Sequence, residues 1–286
     1  MRPNPHQILA FAQAAREGSF TRAAQRLGVS QSAVTQHVDR LEKSLGSRLF
    51  LRSRDGLELT RTGHDLHELA DRMLTLDQAL ADRMEGFAAM ERGHLSVIAN
   101  APRPALEIIA RFKQQHPDVE LDFTLFDWTT AMGMLRERRA DVAIVTAPDR
   151  IGSAVSHRIG GARYVAYLPK DHAWAKRPAI SLSEMVTEVL LLPEEGSFTQ
   201  KVVRRKLAAF DLMPKRQLRI TTFPLMQEAV LHHLGIGIFL ENSSHPSTAI
   251  CGIPITEMPE IYDTCVVIPE DKTRLALVER FLALAL

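Results

Sequence analysis

Ser30, Gln31, Ser32, Thr35 and Gln36 lie in one seven-residue stretch just after a glycine, and every one carries a hydroxyl or an amide. Uncharged groups of this kind donate and accept hydrogen bonds, which suits base edges and phosphate oxygens. Arg52 and Arg54 follow some twenty residues later and are suited to phosphate. Nothing in the chain has the spacing of a catalytic or metal-binding set. His232 and His233 are adjacent and cannot share a helical face, and no His-Glu-x-x-His or Gly-x-Ser-x-Gly occurs. Gly235-Ile236-Gly237 lacks a third glycine and precedes a strand, so it is no dinucleotide loop. Glu194-Glu195 reads as a solvated loop pair. Catalytic residues, metal ligands and cofactors are therefore expected to be absent.

The hydroxyl and amide cluster needs a rigid support, and the neighbouring residues supply one. Ala23, Ala24 and Leu27 give a first helix a small apolar face that a second helix can cross closely. Gly28 can take the left-handed conformation that ends a helix. Val29 is expected to fill the corner, and Ser30 to cap the next helix. Val34, Val38 and Leu41 recur at helical spacing and face inward, leaving Gln31, Ser32, Thr35, Gln36 and His37 outward. This is a helix-turn-helix, whose second helix is shaped for the DNA major groove. Leu49-Phe50-Leu51 and Leu57-Glu58-Leu59 then read as two short strands joined by Ser53-Arg54-Asp55-Gly56, with Thr60 capping the helix beyond. Asn4-Pro5 opens the first helix of the chain, with Ile8, Phe11, Ala12 and Ala15 on its inner face.

The run from Gly18 to Gly63, with Leu49-Phe50 and Leu59-Thr60-Arg61-Thr62-Gly63, resembles the N-terminal domain of LysR-type transcriptional regulators. The resemblance covers almost every motif position of that domain, and the later order of elements also fits. It implies a chain that is α/β overall: an N-terminal all-α-type winged helix-turn-helix, a long dimerising linker helix, and a C-terminal two-lobed effector domain like a periplasmic binding protein. The expected domains are residues 1–60, 61–91 and 92–286. Lobe I takes about 92–164 and 266–286, and lobe II about 165–265. The implied partners are double-stranded DNA, a small-molecule effector, a second or further copies of the chain as homodimer or homotetramer, and RNA polymerase. Gln31, Ser32, Thr35 and Gln36 are the expected base or groove contacts, and Ser30, Arg52 and Arg54 the expected phosphate contacts.

Composition agrees with this division. The first 64 residues hold ten basic and five acidic side chains, while the remainder holds 25 basic and 29 acidic. A basic head on an acidic body is what a DNA-binding head requires. No signal peptide or membrane-spanning run is visible, so a cytoplasmic protein is expected. Cys251 and Cys265 are too far apart for a Cys-x-x-Cys motif and read as inert thiols, with a redox pair as the lesser alternative.

From Arg61 to about Phe87 a helical pattern runs without proline. Its Leu66, Leu69, Met73, Leu76, Leu80, Met84 and Phe87 alternate spacings of three and four, close to a coiled-coil seam. Packing on its own domain is the alternative to pairing with a second chain. Glu91-Arg92-Gly93 reads as a hinge. Strands and helices then alternate, predicting α/β lobes with ligands at strand carboxyl ends. Strands are expected at 95–99, 119–126, 142–145, 163–168, 189–192, 218–222, 236–240 and 266–268. Four strand-to-helix loops should face the gap between lobes, bringing Asn100, Ala101 and Arg103; Trp128 and Thr129; Ser197, Phe198 and Thr199; and Thr221 and Thr222. Helix N-termini with hydroxyls suit a small anion, a carboxylate or a phosphonate-like group. Many relatives by resemblance carry Ser or Thr where Asn100 and Ala101 stand, and Ala101-Pro102-Arg103-Pro104 resembles regulators linked to aminoethylphosphonate catabolism. The other class left open is a small-molecule-binding protein with a vestigial head.

Overall fold

The computed structural model describes residues 3–53, 56–85, 93–100, 102–193, 195–241, 243 and 248–286. Three helices build the head. α1 (Pro5–Glu17) starts at a capping box between Asn4 and Gln7. α2 (Phe20–Leu27) ends at Gly28, whose φ of 64° only glycine adopts without strain. α3 (Gln31–Leu45) starts where the Ser30 hydroxyl accepts from Ala33 N at 3.2 Å. Val34, Val38 and Leu41 pack with Phe11, Ala14, Ala23 and Ala24 into one core. Val29 does not fill the corner and is 47% exposed. Its N–H closes the turn on the Ala24 carbonyl at 3.0 Å, which leaves the side chain outside.

The wing is an antiparallel pair, β1 (Phe50–Ser53) and β2 (Gly56–Leu59), with Phe50 opposite Leu59. Buried Glu42 anchors its start by accepting from Leu49 N at 2.7 Å and Phe50 N at 3.3 Å. Thr60 then caps α4 (Arg61–Glu85) by accepting from Gly63 N at 3.0 Å. A Cβ on Gly63 would stand 2.3 Å from the Leu49 carbonyl oxygen. Glycine-to-alanine usually helps a helix, but here the clash is with backbone that cannot swing away. Gly63→Ala is therefore expected to destabilise the head by about 1–3 kcal/mol, read as a lower urea midpoint.

α4 has two unlike faces. Ala70, Asp71, Leu74 and Thr75 are buried. Leu69, Leu76, Leu80 and Met84 are exposed, whereas Leu66 is partly buried in the core of the head. Phe87 and the expected hinge residues Glu91 and Arg92 lie outside the described residues.

Beyond α4 come β3 (His94–Ala99), α5 (Pro102–Gln115), β4 (Glu120–Leu125), α6 (Trp128–Arg136), β5 (Val142–Thr146) and β6 (Ala154–Pro169). Next are α7 (Leu182–Met185), β7 (Val189–Leu192), α8 (Phe198–Ala209), β8 (Arg216–Arg219), α9 (Phe223–Leu231), β9 (Ile236–Leu240), β10 (Ile250–Pro254) and β11 (Ile261–Pro269). A short 3₁₀ turn, Glu270–Arg274, leads into α10 (Ala276–Ala285). Strands run in the order β4-β3-β5-β11-β6-β9-β7-β8, with β10 on β6.

β3, β4 and β5 are mutually parallel, as are β7, β8 and β9, whereas β6 and β11 run antiparallel to their neighbours. Lobe I has its core between sheet and helices at Leu95, Ile108, Phe112, Val266 and Phe281. Lobe II centres on Tyr164, Leu190, Val203 and Ile238. The sixteen residues of β6 serve both, pairing with β11 through Arg163 and with β9 from Tyr164. Sequence patterning anticipates only 163–168 of this strand, because Gly160-Gly161 and the alternating polar residues before them mask an exposed ribbon. It misses β10, which Gly252 and Pro254 disguise, and places β8 two residues late.

Candidate functional site

The head presents its polar residues as a group. Gln31, Ser32 and Gln36 are exposed on the first turns of α3, and Thr35 and His37 are half-buried. Several are locally engaged. Ser30 Oγ lies 2.9 Å from Ser32 Oγ, Thr35 Oγ1 donates to the Gln31 carbonyl at 3.0 Å, and Thr21 Oγ1 donates to Gln31 Oε1 at 3.1 Å. These bonds fix the side chains of the helix start before any partner arrives. Arg54 lies outside the described residues, and of Arg52 only the backbone, in β1, is described.

The contact between lobes draws together part of the expected set. Trp128, at the start of α6, meets Phe198, at the start of α8, with ring centroids 5.9 Å apart. Trp128 is 7% exposed, donates Nε1–H to the Thr146 carbonyl at 3.1 Å, and belongs to the lobe I core. Asn100 joins this side, accepting from Thr146 N at 3.1 Å. From lobe II, Ser197 caps α8 through Gln200 N at 3.2 Å, and Thr199 Oγ1 lies 2.9 Å from the Tyr164 hydroxyl. Asp127 caps α6 through Thr130 N at 2.8 Å, with Thr129 exposed beside it. Lys201, which sequence reasoning passed over, holds its ammonium 5.0 Å from the Trp128 ring centroid. Its signal was its place one turn after the Ser197 cap.

The remaining expected members are bonded locally or exposed. Arg103 bonds Glu107 at 3.1 Å on its own helix. Thr221 and Thr222 are exposed, and Thr222 makes no side-chain cap. Its neighbour Phe223 packs instead on Tyr167 and Phe239 within lobe II. Ala101 lies outside the described residues. Cys265 is buried and Cys251 half-buried, and both are free thiols.

Residues 5–64 match the model of the bacterial regulatory helix-turn-helix proteins of the lysR family, and residues 88–286 match the LysR substrate binding domain. The chain belongs to the LysR family. The HTH-type transcriptional regulator CfxR of Cupriavidus necator is 28% identical over 234 residues, covering 81% of this chain and 74% of that protein. A full-length OxyR variant from Pseudomonas aeruginosa, with aspartate in place of one cysteine, matches the fold with a TM-score of 0.79 at 19% identity, over 100% of this chain and 95% of that one. The CcmR regulatory domain of Synechocystis PCC6803, in complex with 2-PG, matches with a TM-score of 0.61 at 16% identity, over 68% of this chain and 96% of that one. As a LysR-family member the chain is a DNA-binding transcriptional regulator with an effector-binding domain, and not an enzyme. Among the described residues no helix is long and apolar enough to cross a membrane, and no cluster of His, Cys, Asp or Glu could hold a metal ion.

This LysR-family chain also carries a buried junction of charges where head, α4 and lobe I meet. The Asp71 carboxylate, fully buried on α4, takes Arg16 Nε of α1 at 2.5 Å and Arg138 Nε of lobe I at 2.5 Å. Arg16 continues to Thr75 Oγ1 and Gln78 Oε1 at 2.9 and 3.2 Å, and Arg138 to Asp271 at 2.6 Å. Lys272, with no exposed side-chain surface, bonds Asp141 at 3.0 Å and the Ala140 carbonyl at 3.1 Å. His67 Nε2 meets the Glu137 carbonyl at 2.9 Å. Burial alone would raise the Asp71 carboxyl, but Lys272, Arg16 and Arg138 outweigh it and hold the group far below the usual carboxylate range. Burial pushes the His67 imidazole down. A second tie joins the head to β4, where Arg26 reaches Glu120 at 2.5 Å and Asp122 at 3.2 Å.

Proposed function

We propose that this regulator acts as a dimer or tetramer that reads a near-palindromic operator and responds to a small anion held between its lobes. Gln31, Ser32, Thr35 and Gln36 contact base edges from the major groove. Ser30, Arg52 and Arg54 contact phosphate, and RNA polymerase is the partner on the promoter. The cleft takes a carboxylate or phosphonate-like effector among Asn100, Ala101, Arg103, Trp128, Thr129, Ser197, Phe198 and Thr199, with Lys201 as its countercharge. Thr221 and Thr222, exposed before α9, complete the lobe II contribution.

The observation that carries the anion reading is the Lys201 ammonium over Trp128, beside the start of α8 capped by the uncharged Ser197. A full charge and a helix start converge where the lobes touch. The CcmR domain in complex with 2-PG supports the same class by likeness of fold. A thermal-shift screen of the full chain tests this, using carboxylates, phosphonates, phosphate esters and 2-PG against neutral and cationic analogues. An anion at about 100 times its Kd stabilises the protein by about 2.7 kcal/mol, which a melting curve resolves. Stabilisation by neutral or cationic members alone overturns the anion reading.

The head makes its own prediction. Arg52→Gln is expected to lower the slope of log affinity against log salt by about one unit. Fluorescence anisotropy on a selected duplex, from low to moderate salt, reads this directly. A slope equal to that of the parent removes Arg52 from the phosphate contacts.

A further inference from the structure

One unit of lobe I has both of its ends committed. α6 starts at Trp128, against Phe198 of lobe II, and runs about 13 Å to its C-terminal end. There Glu137 and Arg138 hold His67 and Asp71 of α4. The chain then turns through Arg138, in the left-handed region with φ 57°, and returns as β5. Asp141, just before β5, bonds Lys272, and Thr146 at the far end of β5 accepts from Trp128 and lies 3.0 Å from the Thr264 hydroxyl of β11. Ala131, Met132 and Leu135 bury the helix against the sheet, leaving it little room to bend.

We infer that α6 and β5 form a coupling element that transmits displacement at the Trp128–Phe198 contact to the DNA-binding head through the Asp71 junction. A group entering the cleft must part the two rings, and Trp128 moves with its helix. Glu137 and Arg138 move at the other end, where they grip α4 beside two further lobe I ties, Ser153 on Arg72 and Ala276 on Asp82. Arg16 of the head shares the Asp71 carboxylate with Arg138, so the grip on one affects the other. The head is thereby biased by the cleft without touching it. This rests on the reading of the cleft as the effector site, but its test uses no effector.

The chain has two tryptophans, so Trp174→Phe leaves Trp128 as the sole reporter. In that full-length background Asp71→Asn, which keeps size and removes charge, is expected to raise acrylamide quenching of Trp128 at least about twofold. Arg16→Gln should shift it in the same direction, since coupling between linked sites is commonly about fivefold or more. In reverse, Phe198→Ala should speed amide exchange in residues 67–75 by about fivefold. Val230→Ala loosens a buried core of lobe II that holds neither Phe198 nor the junction, and serves as the control. Parental quenching in folded Asp71→Asn and Arg16→Gln proteins overturns the proposal. So does an equal rise in Val230→Ala, or unchanged exchange in Phe198→Ala. If Asp71→Asn does not fold, Arg16→Gln, which leaves Asp71 and Arg138 paired, decides the matter. A wrongly assigned effector site alters none of these readouts and shows only in the ligand screen.

Discussion

Glutamate at both Leu76 and Leu80 is expected to leave the protein monomeric and to cut its affinity for a selected duplex by about 10²–10⁴-fold. The two leucines are 68% and 60% exposed on α4 and continue the line of Leu69 and Met84. A lone chain gains nothing from such a stripe, whereas the proposed dimer would bury it between two chains. Paired heads bind the two halves of a near-palindrome as one event, and separated heads lose that advantage. The opposite face of α4 holds Ala70, Asp71, Leu74 and Thr75, so each chain keeps its internal packing and should remain folded. Sedimentation velocity and gel shift on the same preparations check this. A double variant that sediments as a dimer with parental affinity would sink the role given to the stripe.

Asp71→Ala is expected to cost about 3–5 kcal/mol, because it leaves Arg16 and Arg138 facing each other in a buried site without their shared anion. Urea unfolding followed by circular dichroism measures the loss. The pH dependence follows in sign. The folded protein holds this carboxyl well below its ordinary value, so the unfolded chain takes up the proton more readily. The stabilisation is complete above about pH 5 and drains away progressively as pH falls below about 4 toward the much lower folded-state value. Melting temperature against pH should therefore be shallower for Asp71→Ala than for the parent below about pH 4. Equal acid slopes in the two proteins would show that Asp71 adds nothing to acid sensitivity.

The head was legible in sequence because its signals are local. Gly28, Ser30 and the Val34–Val38–Leu41 spacing specify a turn, a cap and a buried face within fourteen residues. The effector domain was legible where strands are fully apolar, as at Val142–Val145, and obscure where a strand is half wet, as in the first half of β6. Between the lobes, the loops of Trp128 and Phe198 were recognised by their caps and do meet, while Thr222 makes no side-chain cap on α9. Lys201 was missed because its one signal, a place one turn after the Ser197 cap, is shared by many lysines on helices. The Asp71 junction was missed for another reason. His67, Asp71 and Thr75 recur every four residues as a polar line on α4, but attention to the leucine stripe hides a second, buried face. Its partners Arg138 and Lys272 are distant in sequence, and only the fold brings them in.

The long return of β11 to β5 has a consequence for how the molecule is made. Thr146 and Thr264 touch although 118 residues separate them, and α10 then closes the lobe by setting Phe281 against Phe112 at 5.4 Å. On the ribosome the head can complete its core as soon as α4 emerges, while lobe I waits with an open strand edge until lobe II has been synthesised. Nascent chains thus expose a finished head before the effector domain can close its sheet.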